Sequence, residues 1–313
     1  MGQRHITRMH RRADLRSLYL QAKRFSEGGG TSRPPCEKTS YRSIFISDVH
    51  LGTKDCKAQQ LAEFLKFSTC EQMYLVGDIF DGWRMKSGVF WHKSFNRVIR
   101  NILKLSKNGV PVYYITGNHD EFLRKYANSQ FDNIRLVNRA THTSTDGKRY
   151  LIIHGDQFEG VTHCSRILKY VGDVGYIFLM FLNRIFNTVR ARAGYGHWSF
   201  AAFLKKHIKR AKEYIHDYEI AVARSAKKQG FDGVICGHIH QAAMKSINGI
   251  DYFNTGDWVE SCTAIVEHHE GKFELIHWLE SPTHMQRLER KREKCQRENE
   301  QKQPKNTVKT LAE

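Results

Sequence analysis

No C-x-x-C pair occurs among the seven cysteines, which are scattered at Cys36, Cys56, Cys70, Cys164, Cys236, Cys262 and Cys295. That spacing argues against a disulfide framework or a zinc knuckle, and for a reducing compartment. Long apolar runs are also missing. A spanning helix needs about 18 uninterrupted apolar residues, and the longest candidate, residues 171–186, is broken by Gly172, Asp173, Gly175, Asn183 and Arg184. The basic N-terminus lacks the apolar core of a secretory signal. Acidic residues are scarce, with 32 Asp and Glu against 50 Lys and Arg, a formal net charge of +18 over 313 residues. Such a charge favours anionic partners: nucleic acid, acidic lipid surfaces or phosphorylated substrates. No nucleic-acid-binding module is recognisable, which counts against the first. These absences point to a cytoplasmic protein that can attach peripherally to a membrane surface. Hydrophobic residues at 40% and charged residues at 26% allow a substantial core.

The chain divides into four parts, with no internal repeat. Residues 1–42 hold ten Lys and Arg against three Asp and Glu, followed by breakers at Gly28-Gly29-Gly30 and Pro34-Pro35. They read as a basic, disordered extension. Residues 43–156 alternate short apolar strands (43–47, 73–76, 110–115, 150–153) with helical spacing at Leu61, Phe64 and Leu65, then at Phe95, Val98, Ile99, Ile102 and Leu103. That alternation predicts a mostly parallel sheet covered by helices, an α/β fold. Residues 157–230 break the rhythm. Phe200, Leu204, Ile208, Ala211, Ile215, Tyr218 and Val222 mark one face of a long helix, and residues 163–212 hold ten Lys and Arg and one acid, Asp173. Strands return at 233–236, 250–253, 263–267 and 272–278, with a hairpin turn at Glu270-Gly271. Residues 281–313 are a charged C-terminal tail.

Five short motifs follow the apolar strands: Asp48-Val49-His50, Gly77-Asp78-Ile79-Phe80-Asp81, Gly117-Asn118-His119-Asp120, His154-Gly155-Asp156 and Gly237-His238-Ile239-His240. Side chains alternate along a strand, so Asp48 and His50 should point one way with Val49 opposite, and His238 and His240 should repeat the device. Ligands in open α/β sheets collect at the carboxyl ends of strands. The set mixes imidazole, carboxylate and one amide oxygen. That suits Mn²⁺, Fe or Zn²⁺ and is too rich in nitrogen for a Ca²⁺ or Mg²⁺ cage.

Over residues 43–280 the order D-x-H, G-D-x-x-D, G-N-H-D, strand-end H and G-H-x-H resembles the calcineurin-like metallophosphoesterases. The resemblance implies a sandwich of two mixed β-sheets flanked by helices, with 157–230 as a helical lid. It implies a dinuclear hydrolase with Asp48, His50, Asp78 and His240 on one ion and Asp78, Asn118, His154 and His238 on the other. Asp81 would orient a ligand from behind. His119 would act at the leaving group, with Asp120 fixing its tautomer. Ile46-Ser47-Asp48-Val49-His50-Leu51-Gly52, Gly77-Asp78-Ile79-Phe80-Asp81-Gly82-Trp83, His154-Gly155-Asp156 and Gly256-Asp257-Trp258 are further similar to the UDP-2,3-diacylglucosamine diphosphatase branch. That branch serves lipid A biosynthesis. It splits a pyrophosphate to UMP and a lipid sugar 1-phosphate, usually with Mn²⁺, on the cytoplasmic face of the inner membrane. The branch has G-N-R-D where this chain has His119, and Arg-Pro where it has Gln241-Ala242. The competing expectations are a soluble phosphodiesterase or phosphatase of broader specificity and a non-catalytic metal-binding scaffold.

Overall fold

The computed structural model describes residues 38–161 and 209–302. The reading of residues 1–37 as a basic extension, and most of the lid reading (162–208), lie outside the described residues.

Twelve strands build two mixed sheets. In chain order they are β1 (Thr39–Ile46), β2 (Ser68–Val76), β3 (Val112–Ile115), β4 (Gln130–Phe131), β5 (Ile134–Val137), β6 (Ala140–Thr143), β7 (Arg149–Ile152), β8 (Gly233–Cys236), β9 (Ala243–Ile247), β10 (Ile250–Asn254), β11 (Thr263–Glu267) and β12 (Phe273–His277). The larger sheet runs β12-β11-β1-β2-β3-β5-β4 and the smaller β6-β7-β8-β10-β9. β1, β2, β3 and β5 are mutually parallel, as are β7, β8 and β10; the remaining strands, including β11 between β1 and β12, pair antiparallel. The helices are α1 (Ala58–Phe67), α2 (Gly82–Ser87), α3 (Lys93–Lys107), α4 (Lys209–Lys228) and α5 (Pro282–Lys302).

The period-two alternation of β1 separates its side chains into two cores. Ile44 and Ile46 face outward into a layer with Leu61, Phe64, Phe95 and Val98 of α1 and α3. Phe45 faces inward, between the sheets, with Tyr74, Ile115, Tyr150, Ile235 and Phe253. That inner layer is strongly aromatic: Phe45 stacks on Tyr74 at 4.8 Å and Tyr74 on Tyr113 at 4.9 Å. Each such pair adds about 0.5–1.5 kcal/mol beyond its burial. A third core joins the outer face of the smaller sheet to Tyr218, Val222, Ala223 and Ala226 of α4. In the described part of 157–230, therefore, the apolar stripe packs against strands as an ordinary core helix.

The short strands β4, β5, β6 and β9 were not legible as apolar runs, because they lie at or next to sheet edges and bury little of their surface. β1 begins at Thr39, inside what reads from sequence as the extension, through parallel pairing of Thr39 with Ser68 of β2. Most of the charged tail, Pro282–Lys302, is helix α5, tied to α1 where Arg287 Nε lies 3.2 Å and His284 Nδ1 3.6 Å from the buried Glu63 carboxylate.

Glu267, buried on β11, ties the two sheets together. Arg42 donates two hydrogen bonds to it at 2.6 and 2.7 Å, Ser43 Oγ one at 3.0 Å, and the Thr145 N–H one at 3.1 Å. His142 Nε2 of the other sheet lies at 2.8 Å. Burial alone would raise the carboxyl, but the bonds from His142 and Arg42 outweigh it and hold it at about 2, against 4.5 for an ordinary glutamate. Its stabilisation is complete above pH 4.5 and is lost as pH falls toward 2. Removing one partner of a buried pair costs about 3–5 kcal/mol. Glu267→Gln should lower the urea-unfolding free energy by that order at pH 7, and the gap to the parent should close in acid. An equal gap at pH 7 and pH 3 would refute the assignment.

Candidate metal centre

All five motifs fall just beyond strand ends: β1 ends at Ile46, β2 at Val76, β3 at Ile115, β7 at Ile152 and β8 at Cys236. Because these strands run parallel within each sheet, their carboxyl ends bring the motifs together.

The alternation expected of Asp48-Val49-His50 is not what orients it. Asp48 and His50 lie past the strand in left-handed backbone, at φ 51° and 52°, and Asp78 (54°), His238 (72°) and His240 (51°) do the same. Non-glycine residues in this region are uncommon, and each costs on the order of 1–3 kcal/mol unless the surroundings enforce it. Here they do. The Asp48 N–H donates to Gly77 O at 3.1 Å, and the Val49 and His50 N–H groups both donate to Asp78 O at 2.9 Å. The Leu51 N–H donates to Ile79 O at 2.9 Å, and the Trp258 N–H donates to Asp48 O at 3.0 Å. Val49 is turned into the core with Ile44 and Leu61.

The glycines before the ligand positions are explained by crowding. A Cβ on Gly77 would lie 2.4 Å from the His154 ring, one on Gly117 2.2 Å from Asp78 Oδ1, and one on Gly237 2.4 Å from Asp48 Oδ2. Each of these three glycines makes room for another motif's side chain.

Three groups of close donor atoms occur among the described residues; one, His50, Asp81 and His119, joins the candidate ligands to the groups behind them, and the other two match the expected ligand sets. Asp48, His50 and His240 form one of these two clusters, and Asp78, His154 and His238 the other, with each cluster's ligand atoms within 4.8 Å of one another. His240 Nε2 is 3.2 Å from Asp48 Oδ1, and His154 Nε2 is 3.3 Å from Asp78 Oδ2 and 3.1 Å from Asn118 Oδ1. Asp78 Oδ2 also lies 3.9 Å from His50 Nε2, so this carboxylate stands between the clusters. All seven residues expected as ligands are thus brought together.

These donors fit divalent cations. His154 Nδ1–H donates to Val76 O at 2.9 Å, so in the neutral ring the Nε2 lone pair faces the oxygens of Asp78 and Asn118. His50 Nε2 and His240 Nε2 also face each other, at 3.3 Å. A lone pair set against carboxylate and amide oxygens, as at His154 Nε2, is repelled unless positive charge sits among them. The same groups also act strongly on one another's charge. Burial disfavours the charge on Asp48, yet His240 and His154 together hold it at about 2. Burial likewise opposes the His154 imidazolium, yet the Asp78 carboxylate pushes it up to about 10. Burial and the neighbouring His154 push His238 down to about 4.

Asp81 and Asp120 are buried carboxylates behind this shell. Asp81 Oδ2 is 3.3 Å from His50 Nδ1, in the orienting place expected of it. The role expected of Asp120 is corrected. Its carboxylate accepts the N–H of Gly117 at 2.6 Å, the N–H of Ile79 at 3.0 Å and the Tyr114 hydroxyl at 2.6 Å. Those bonds turn it toward the loop backbone, where it splices the Asp78 and Asn118 loops together. It is Asp81 Oδ1 that stands 3.2 Å from His119 Nδ1.

Sequence reasoning gave no role at the site to three further contributors. Trp83 lies over the His119 ring at 4.2 Å. Asn254 Nδ2 donates to Gly237 O at 2.8 Å, and the Tyr218 hydroxyl reaches the same oxygen at 3.4 Å, so both brace the His238 loop. Trp83 was visible only as part of a motif and Tyr218 only as part of an apolar helix face, and nothing local marked Asn254.

Comparison with known proteins gives a consistent result. The family model described as calcineurin-like phosphoesterase matches residues 41–242. A UDP-2,3-diacylglucosamine hydrolase of Neisseria gonorrhoeae is 28% identical over 239 residues, covering 72% of this chain and 92% of the relative. The protein of that name from Aliivibrio fischeri is 28% identical over 232 residues, covering 69% and 90%. Among solved structures, an archaeal phosphodiesterase aligns with a TM-score of 0.36 and 14% identity, over 75% of this chain and 98% of the other.

Replacing Asp120 by Asn keeps its size but weakens its hold on the Gly117 and Ile79 N–H groups. Losing such support behind a ligand shell typically costs about 10–100-fold in metal affinity. Titration calorimetry with Mn²⁺ should show that loss for Asp120→Asn, and unchanged affinity would sink the splicing role.

Proposed function

The chain belongs to the calcineurin-like phosphoesterase family, and on that premise we propose that this metal-dependent phosphoesterase cleaves the pyrophosphate of a UDP-2,3-diacylglucosamine-type substrate. The products would be UMP and a lipid sugar 1-phosphate. The observation that carries the reading is the meeting of nitrogen and oxygen donors from four loops in two adjoining clusters, with Asn118 of a fifth loop beside His154. The relatives named above, aligned over most of their length, support the choice of substrate.

Asp48, His50, Asp78 and His240 would hold one cation, and Asp78, Asn118, His154 and His238 the other, sharing Asp78. When bound, the two cations supply a nucleophilic water at neutral pH and draw charge from the phosphoryl oxygens. Manganese is the proposed ion, with iron and zinc as alternatives, because imidazoles and carboxylates share the shell. His119 sits at the partly open rim, its side chain 26% exposed. With Nδ1 facing Asp81, its Nε2 edge is left to hydrogen-bond the departing oxygen. Trp83, packed against that ring, limits its rotation.

The segment 157–230, of which 162–208 lie outside the described residues, would receive the acyl chains as a lid, with the protein attached peripherally to the cytoplasmic face of the membrane. No described helix is long and apolar enough to cross one.

With Mn²⁺ added, purified protein should release UMP from UDP-2,3-diacylglucosamine. An inert lipid substrate alongside hydrolysis of bis-p-nitrophenyl phosphate would replace this reading by a broader phosphodiesterase. Inactivity on every phosphoester after metal reconstitution would leave a scaffold. Asp78→Ala should lose bound metal by elemental analysis. His119→Ala should keep it while turnover falls about 10²-fold or more; full activity in that variant would remove His119 from the chemistry.

A further inference from the structure

We propose that residues 83–107, beginning beside His119, form a docking surface for a bilayer rich in anionic lipids. This gives the peripheral attachment suggested above a place in the described residues, and it rests on that part of the reading. The segment 82–107 contains seven Lys and Arg and no Asp or Glu.

Two features of this stretch differ from what stability alone requires. The first is its apolar tip. Val89, Phe90 and Trp91 are consecutive and 66%, 37% and 42% exposed. They are displayed in a fixed way. The Phe90 and Trp91 rings lie edge-to-face on the buried Phe95, at 6.0 and 5.4 Å, and the Trp91 indole N–H donates to Asn96 Oδ1 at 2.8 Å. Lys86 and Lys93 flank the tip, and Lys54 Nζ lies 5.9 Å from the Phe90 ring. An apolar tip ringed by long cationic side chains suits insertion at the acyl boundary with the ammonium groups left among headgroups.

The second feature is the helix that follows. Lys93, Arg97, Arg100, Lys104 and Lys107 are all exposed, and steps of four and three set them on one face of α3. The opposite face buries Phe95, Val98 and Ile102. The stripe runs about 20 Å along the axis. The first turn of α3 carries no acid, although carboxylates are the residues a helix N-terminus favours. A uniform cationic stripe repels itself and is relieved by a negatively charged plane, such as a leaflet surface.

Nucleic acid would use the charge but not the tip. Base stacking needs free ring faces, whereas the Phe90 and Trp91 rings are pinned on Phe95 and a third member, Val89, has no ring. The first turn of the same segment, α2, places Trp83 on His119, so docking here would hold the metal centre near the leaflet that carries a lipid-linked substrate.

The test is sedimentation of the full chain with vesicles of phosphatidylcholine alone or with phosphatidylglycerol, for the parent, Val89→Ser/Phe90→Ser/Trp91→Ser and Arg97→Gln/Arg100→Gln/Lys104→Gln. The substituted side chains lie outside the metal centre, so turnover of bis-p-nitrophenyl phosphate should stay at the parental value in both; the Gln variant should also keep the parental melting temperature, while the Ser variant, which loses ring contacts with Phe95, should melt somewhat lower but remain folded at the assay temperature. Each triple variant should bind phosphatidylglycerol vesicles about tenfold or more weakly, equivalent to about 1.4 kcal/mol. The Gln variant should also lose the parent's salt dependence. If the parent binds and both variants match it, this surface is wrong while membrane attachment stands. If the parent binds no vesicle, or binds single-stranded nucleic acid in preference, attachment and surface fall together, whatever the outcome of the UMP assay.

Discussion

Two loops hold each other in conformations that neither would keep alone. Residues 48–51 and 77–79 exchange four backbone hydrogen bonds, and those bonds keep Asp48, His50 and Asp78 in the left-handed region. An isolated chain would leave that region for extended or helical backbone. Held there, the three side chains turn toward one point beyond the ends of β1 and β2. Two further motif loops are arranged around this pair: His119 N–H donates to Asp78 Oδ1 at 2.8 Å, and His238 N–H donates to Asp48 Oδ2 at 3.0 Å. The two central carboxylates therefore organise the neighbouring loops through their own oxygens, besides facing the imidazoles.

The sandwich makes this possible because its two sheets deliver different halves of the site. Asp48, Asp78 and Asn118 come from the larger sheet, and His154, His238 and His240 from the smaller. The aromatic layer between the sheets and the Glu267 network fix their separation. Close approach is then a matter of volume. The glycines at 77, 117 and 237 sit where any side chain would strike a ligand of another motif. The recurring glycine-before-ligand pattern is thus a packing requirement of the assembled centre, as well as a feature of each turn.

Central strands were legible because they are buried on both faces and so read as continuous apolar runs. β8 and β11 fall where the pattern put them. Edge strands such as β4 and β9, half exposed and mixed in composition, left no such trace. The stripe at Tyr218 and Val222 was legible as a helix face, but its period could not say whether the face meets a substrate or a sheet. It meets β8, β9 and β10. The partner of His119 was similarly ambiguous. Asp120 adjoins it in sequence, but the chain turns so that Asp81, nearly forty positions earlier, faces the ring.

The sequence by itself determined which residues carry the chemistry and on which strands they ride. Strand-end motifs are local, and the burial of their strands is written in composition. It also determined the excess of positive charge and the acid-free run after Gly82. Only the tertiary structure decided how those residues face one another: which carboxylate stands behind which imidazole, which oxygen lies between the clusters, and which backbone is held left-handed. Those choices depend on hydrogen bonds and contacts between residues dozens of positions apart. No local pattern encodes them, because each exists only once two sheets and five loops have packed against each other.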